Sequence, residues 1–572
     1  MSSPRAVEPS TFGLTHLAAT VALLLALALA IVGSARPPAA RGDDASAQEF
    51  SASRAMADVR GLTAGDAPHP IGSEDHARVR AYVEQRLRAL GLEPTLQRAR
   101  ACAPRRDGTT FCAEVENVVA RIDGREGAPA LMLAAHYDSV PRGPGAGDDA
   151  AGVATILEIA RAIRADGVPR RPIVLLLDDG EEAGLLGARA FVAEHPWARD
   201  VRVVLNFEAR GNAGQTAMFE TSEQSAWLVD VYGASVARPT AASILYALYK
   251  KLPNDTDLTV FKRAGMLGLN FAFAERVWEY HTADDNAARL DPRSVQHMGD
   301  QGLAVARVLS AGDLAHPADG EAVYFELFTR WLVRWPARLA LPLALLVALG
   351  GAGALGAGWR RSAPRPVRID RAAVGRVLGV TLAMVLALVA ALAVGFLLDR
   401  AIVLRAGRPR PWASAPMAAW IAFGAGALAA TSSVLVAARR LGSDREASAA
   451  LVVLSGTLSL LVAATLPAGS YLFTLPALAA AVAHLAASPA QPAWRRWTAY
   501  AATLAVAALL WIPLDRVLLV MVGAEAHPSA TLPVAILALF AAPILIGLEA
   551  RARWRVAQVA GAACLLAVLF AG

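Results

Sequence analysis

The chain has 572 residues, more than one hydrophobic core serves, so it divides into domains. A hydrophobic content of 55% and a mean hydropathy of +0.40 are too high for a wholly soluble protein, and the excess is uneven, with long apolar runs at both ends. The net charge of +6 does not mark a nucleic-acid binder. Apart from Lys250, Lys251 and Lys262 every basic residue that is not histidine is arginine, and the clustered arginines sit between apolar runs rather than in a stripe with aromatics.

In chain order, the apolar run from Leu17 to Val32 is long enough to span a bilayer and longer than a usual signal-peptide core. Residues 1–35 are therefore read as an N-terminal transmembrane anchor, with Ser34-Ala35 as an alternative cleavage site. Residues 36–54, rich in Pro, Ala, Arg and Asp, read as a linker. Residues 55–312 alternate strands and helices, which predicts an α/β domain with a mostly parallel sheet. Strands are predicted over 115–122, 130–135, 172–178, 201–207 and 266–273, and helices over 78–90, 152–164, 184–194, 225–237 and 292–309. Cys102 and Cys112 flank a Gly-containing turn; outside the cytoplasm they would form a disulfide closing a hairpin, and otherwise they are two unrelated thiols.

Residues 313–337 read as a juxtamembrane linker, and 338–572 as an all-α membrane domain of about eight spans, at 338–358, 374–398, 416–438, 448–466, 471–488, 497–513, 530–548 and 554–571. Loop arginines set the orientation. With a cytoplasmic N-terminus, Arg360, Arg361, Arg365, Arg368, Arg371, Arg439, Arg440, Arg445, Arg495, Arg496, Arg551, Arg553 and Arg555 fall inside, and only Arg400, Arg405, Arg408, Arg410 and Arg516 outside. The α/β domain is then extracytoplasmic: periplasmic in a bacterium, lumenal in a eukaryote.

The polar motifs sit at predicted strand ends. His136 follows an apolar strand, and Asp138, two residues on, can hold its second ring nitrogen. A Gly-rich turn then brings Asp148-Asp149 before a helix. The strand over 172–178 runs into Asp179-Gly180-Glu181-Glu182, where one glutamate can bind metal and its neighbour act as general base. Glu208 ends another strand, Asn254 to Asp257 form a polar loop, and His281 comes last. Two histidines and three carboxylates after strands suit two metal ions bridged by one carboxylate, a pair that polarises a carbonyl and acidifies water. His69, His76, His195 and His484 read as structural, and the interspan arginines as topology signals.

The set HYDS, GAGDDAAG, DDGEEAGLLGA, NFEARG and YHTADD, with HPIGS upstream, resembles peptidase family M28, the co-catalytic di-zinc exopeptidases. Joined to a multi-span tail, it resembles the membrane branch of endoplasmic reticulum metallopeptidase and vacuolar membrane protease. The resemblance implies a three-layer α/β/α zinc-exopeptidase domain that hydrolyses peptides, most simply as an aminopeptidase, with two Zn2+ per chain. It assigns His136, Asp148, Glu182, Glu208 and His281 as metal ligands, Asp148 as the bridge, Glu181 as general base and Asp138 as orienter of His136. It also implies a cis Asp148-Asp149 peptide. Glu at 208, where many soluble relatives have Asp, leaves the polarity of cleavage open. Tyr246 and Tyr280 are candidates for oxyanion stabilisation, and Asp255 and Asp257 for substrate support, where a turn-forming role competes. Glutaminyl cyclisation on the same fold with one zinc is an alternative; so is a transporter or scaffold with the peptidase-like domain as sensor. For topology, a reporter active only outside the cytoplasm should be active when fused after Gly312 and silent when fused after Arg445; the reverse result would overturn the orientation.

Overall fold

The computed structural model describes residues 12–105, 107–252, 254–316, 319–360, 371–407, 416–488, 490–521 and 527–571. They form two compact units, Ser34–Ala337 and Met1–Gly33 with Arg338–Gly572. The first helix, α1 (Leu14–Ser34), is followed by α2 (Ala52–Leu62), α3 (Glu74–Ala89), β1 (Thr95–Pro104), β2 (Thr110–Ile122), β3 (Ala130–His136), α4 (Gly152–Asp166), β4 (Ile173–Asp178) and α5 (Leu186–Glu194). Then come β5 (Val201–Ala209), β6 (Ala217–Thr221), α6 (Ala226–Ser235), α7 (Ser243–Tyr249), α8 (Asp257–Arg263), β7 (Leu267–Phe273), α9 (Pro292–Ala311), β8 (Ala322–Leu327) and β9 (Trp331–Pro336).

Seven strands form one sheet in the order β1-β2-β4-β3-β5-β7-β6. Strands β4, β3, β5 and β7 are parallel, and the flanking β1, β2 and β6 antiparallel. The parallel core explains the sequence pattern: β3 and β4 are buried on both faces and read as continuous apolar runs. Alternate β3 residues serve opposite layers. Leu131, Leu133 and Ala135 pack in one core with α2, α4 and α9, while Ala130, Met132 and Ala134 pack in another with α5 and α8. This is the expected three-layer α/β/α arrangement. Because β3 lies between β4 and β5, the chain crosses over it, and the carboxyl end of β3 marks the switch point where open α/β sheets bind ligands.

The four central strands are parallel, flanked by the expected β1–β2 hairpin and by β6, which adds back onto β7. Two expectations change. The stretch read as linker 36–54 is pinned to the domain: Arg41 N–H donates to Gln296 Oε1, Ser51 N–H to Glu158 Oε1, and Arg54 pairs with Glu158. The linker 313–337 carries the β8–β9 hairpin, in which Val323, Tyr324 and Phe325 are buried. The short α7 and α8, seven residues each, carry too few turns to show helical periodicity.

The second unit is helical: α1, then α10 (Ala340–Arg360), α11 (Arg371–Ala406), α12 (Pro416–Ala438), α13 (Asp444–Thr465), α14 (Tyr471–Ala486), α15 (Ala493–Met521), α16 (His527–Phe540), α17 (Ala542–Gly547) and α18 (Ala550–Ala571). Among the described residues six helices are long and apolar enough to cross a membrane: Leu14–Ser34, Ala337–Arg360, Arg371–Ala406, Met417–Ala438, Asp444–Thr465 and Ala493–Leu518. The protein is a multi-pass membrane protein, and these six helices, counted among the described residues, compare with about nine expected spans. The span at 471–488 is a 16-residue helix, and the one at 530–548 breaks after Phe540, since Pro543 cannot donate to the helix ladder and crowds the carbonyl four residues back. Arg361, Arg365, Arg368, Arg408 and Arg410 lie outside the described residues.

Cys102 and Cys112 are direct partners across β1 and β2 and form a disulfide, while Cys564 is a buried free thiol. A maleimide added to the denatured protein should therefore label one cysteine before reduction and three after; three before reduction would exclude the bond.

Candidate metal centre

The polar motifs stand at, or in the loops that follow, the carboxyl ends of the parallel strands, with Asp148 in the Ala146–Ala151 turn before α4. His136 is the last residue of β3, Asp178 the last of β4 with Glu181 and Glu182 in the turn that follows, and Glu208 the penultimate residue of β5. His281 follows β7, with its backbone at φ +60°, a left-handed conformation that costs a non-glycine residue about 1 kcal/mol.

The five groups converge in two triads. His136, Asp148 and Glu208 bring their donor atoms within 4.8 Å of one another, and so do Asp148, Glu182 and His281. Asp148 belongs to both, one oxygen to each: Oδ1 stands 3.3 Å from His136 Nε2, and Oδ2 stands 3.0 Å from His281 Nε2. Glu208 Oε2 is 3.9 Å from His136 Nε2, and Glu182 Oε1 is 3.1 Å from His281 Nε2.

The surrounding bonds fix these groups. His136 Nδ1–H donates to the Asp138 carbonyl at 3.0 Å and faces the Asp138 carboxylate at 3.3 Å, so Nε2 is turned to the triad. The same carboxylate accepts Glu181 N–H at 3.0 Å and Glu182 N–H at 3.3 Å, joining the β3 end to the turn after β4. Asp285 accepts Gly147 N–H at 2.6 Å and Asp148 N–H at 3.3 Å. Gly147 allows the close approach: a Cβ there would meet Asn212 Oδ1 and the Gly211 carbonyl, both at 2.6 Å. The Asp148-Asp149 peptide is cis.

Burial pushes the carboxyls of Glu181, Glu208 and Asp149 well above their ordinary range, and burial together with the Asp148 charge lifts Glu182 to about 7. Asp148 goes the other way: burial would raise it, but the two histidines hold it below the usual range. Burial also opposes charge on His281, yet its bonds to Asp148 and Glu182 keep the ring protonated up to about 10. The pocket thus contains more buried carboxyls than it can keep ionised by itself, which is the electrostatic condition a divalent cation relieves. Imidazole nitrogen with carboxylate oxygen is a donor set that zinc accepts.

Of the other candidates, Tyr280 lies at the centre. Its ring stacks on His281 with centroids 3.7 Å apart, and burial and then the charges of Asp148, Glu182, Glu181 and Glu208 raise its phenol. Tyr246 is engaged elsewhere: its hydroxyl donates to Glu223 Oε1 at 2.6 Å and accepts from Lys262 at 3.2 Å. Asp255 is exposed and accepts the Thr259 hydroxyl, a helix-start contact. Asp257 is buried beside Asp178, and burial lifts it to about 6. The sequence reading passed over Asp285, although it is the second Asp of the quoted YHTADD motif, and also Asn206 and Asn212; no local signal separates these from ordinary loop and strand amides.

Residues 117–306 match the model of Peptidase family M28. The chain is 33% identical over 250 residues to endoplasmic reticulum metallopeptidase 1 of Mus musculus, covering 42% of this chain and 28% of that protein. It is 31% identical over 290 residues to vacuolar membrane protease of Eremothecium gossypii, covering 47% of this chain and 28% of that protein. The matched stretch thus spans little more than a quarter of these relatives. Among solved structures, an aminopeptidase from Aneurinibacillus sp. strain AM-1 aligns at 14% identity and TM-score 0.39, covering 48% of this chain and 98% of its own. A glutaminyl cyclase from an Acidobacteriales bacterium aligns at 20% identity and TM-score 0.36, covering 48% and 99%.

Replacing Asp285 with Ala would strand two buried N–H groups beside Asp148. The expected loss is about 2–4 kcal/mol of domain stability, read from the denaturant midpoint of the metal-free protein; an unchanged midpoint would remove Asp285 from this role.

Proposed function

We propose that this protein, whose residues 117–306 match the model of Peptidase family M28, is a membrane-anchored, zinc-dependent exopeptidase, acting as an aminopeptidase on peptides outside the cytoplasm. The observation that carries the reading is the pair of triads that share Asp148. His136, Asp148 and Glu208 would hold one zinc, and Asp148, Glu182 and His281 a second. Zinc, when bound, supplies a Lewis acid for the scissile carbonyl and lowers the pKa of water.

The chain's own residues do the rest. Glu181 takes the proton from the attacking water and delivers it to the leaving amine. Its burial suits it to that exchange, since a carboxyl raised from its ordinary range both accepts and returns a proton near neutral pH. Asp138 sets the His136 ring and, through the Glu181 and Glu182 amides, the placement of the base relative to that ring. Tyr280, whose ring stacks on His281 and whose phenol feels the surrounding carboxylates, would donate a hydrogen bond to the oxyanion. The two-triad arrangement favours this reading over a one-zinc glutaminyl cyclase. The disulfide in the hairpin and the arginine-rich loops opposite support placement of the domain in an oxidising compartment.

The Glu181→Gln protein should keep its zinc, measured by elemental analysis, and lose about 10²–10⁴-fold in kcat. The wild type should lose activity to a chelator and regain it with zinc. Paired substrates blocked at one end should be cleaved with a free amino terminus and spared when acetylated. Undiminished cleavage by the variant, or by the chelated enzyme, would overturn the assignment, and cleavage confined to acetylated peptides would reverse the polarity.

A further inference from the structure

The geometry points to Lys262, Glu220, Asn270 and Asn206 as positioning residues that set the orientation of Glu208 and hence the affinity of its triad for zinc; this rests on the two-zinc reading above. Three neighbouring strands place the central members in one lateral row. Asn206 of β5 is the register partner of Asn270 of β7, which is in turn the partner of Glu220 of β6. Asn206 precedes Glu208 by two residues and therefore shares its face of β5. All three row members are buried.

The hydrogen bonds along the row fix which atom of each amide faces which neighbour. Lys262 Nζ donates to Glu220 Oε1 at 2.6 Å. Asn270 Nδ2 donates to Glu220 Oε2 at 2.9 Å and to Thr256 Oγ1 at 2.9 Å. Asn206 Nδ2 donates to Asn270 Oδ1 at 3.1 Å and to Glu208 Oε1 at 3.0 Å. An ammonium group only donates and a carboxylate only accepts, so Lys262 and Glu220 leave no choice at Asn270. Its amide nitrogen must face Glu220, its oxygen must face Asn206, and Asn206 must then present nitrogen to Glu208. The oxygen of Asn206 is buried without a hydrogen-bond partner. Its amide is thus oriented by the row rather than by its own best satisfaction. The result is that Glu208 Oε1 is held from behind while Oε2 faces His136. Such outer bonds to a metal ligand set its direction and typically matter tenfold or more in metal affinity.

The test reverses the polarity without changing the shape. In Glu220→Gln, Lys262 claims the oxygen of the introduced amide, so the nitrogen of that amide faces Asn270. Asn270 must turn its oxygen to the introduced amide and its nitrogen to Asn206, and Asn206 then turns oxygen toward the Glu208 carboxylate. Full-length protein in detergent micelles would be titrated with zinc against a competing chelator. Two binding steps in the wild type are the premise; one step would sink the two-zinc reading and leave the present inference without its site. Given two, Glu220→Gln should weaken one step by about tenfold to a hundredfold and leave the other unchanged. Adding Lys262→Met frees the introduced amide to turn back, and the double variant should regain most of the loss, an outcome that general damage to the fold does not produce. Should Glu220→Gln not elute as a folded species, Asn206→Leu, which removes the donor outright, should weaken the same single step. Unchanged affinity, equal weakening of both steps, or a double variant no tighter than Glu220→Gln would each overturn the proposal.

Discussion

The centre depends on one carboxylate being shared. Asp148 gives one oxygen to the His136 and Glu208 side and the other to the Glu182 and His281 side. In the two-zinc reading proposed above, cations sharing this ligand would lie close together, near enough for both to act on one carbonyl and one water. The backbone around Asp148 is correspondingly constrained. Gly147 admits the Asn212 side chain and the Gly211 carbonyl at a distance no side chain would allow, and Asp285 takes up the two N–H groups that the turn exposes.

The electrostatics of the pocket follow from that crowding. Glu181, Glu182, Glu208 and Asp149 are raised by burial, while Asp148 is held ionised by two imidazoles. Such a site relieves its like charge either by holding protons or by taking a cation, so metal binding and the ionisation of these carboxyls would be linked. The scaffold tolerates this because the carboxylates stand at strand ends, where the sheet's own polar groups are already paired and the apolar layers below are complete on both faces.

The lateral row across β5, β7 and β6 extends the same logic outward. A sheet brings side chains from consecutive strands side by side, and when three of them are polar the donors and acceptors must alternate or one is left unmatched. Here the terminal ion pair of Lys262 and Glu220 dictates the sense of the chain of bonds that ends at Glu208. Lys262 is one of only three lysines in the protein, and Tyr246 bridges it to Glu223.

Much of this was legible in the chain itself. The alternation of apolar strands and amphipathic helices, the strand-end placement of His136, Glu181, Glu182 and Glu208, and the long apolar helices are carried by residues near one another in sequence, where backbone periodicity and hydropathy act directly. The β8–β9 hairpin, the pinned segment before α2, the return of β6 onto β7 and the break near Pro543 were not, since each is decided by what a short or mixed stretch packs against. Tyr246 was a candidate through the family resemblance and Asp257 through its polar loop; the packing of α7 and α8 decides that the Tyr246 hydroxyl meets Glu223 and that Asp257 is buried beside Asp178. Sequence by itself determined which side chains have the chemistry to hold metal. Tertiary structure alone decided that Asn206, Asn270 and Glu220 stand in line, because that depends on strand register between segments far apart in the chain, and it set which oxygen of Asp148, the bridge that the family resemblance implies, faces which histidine.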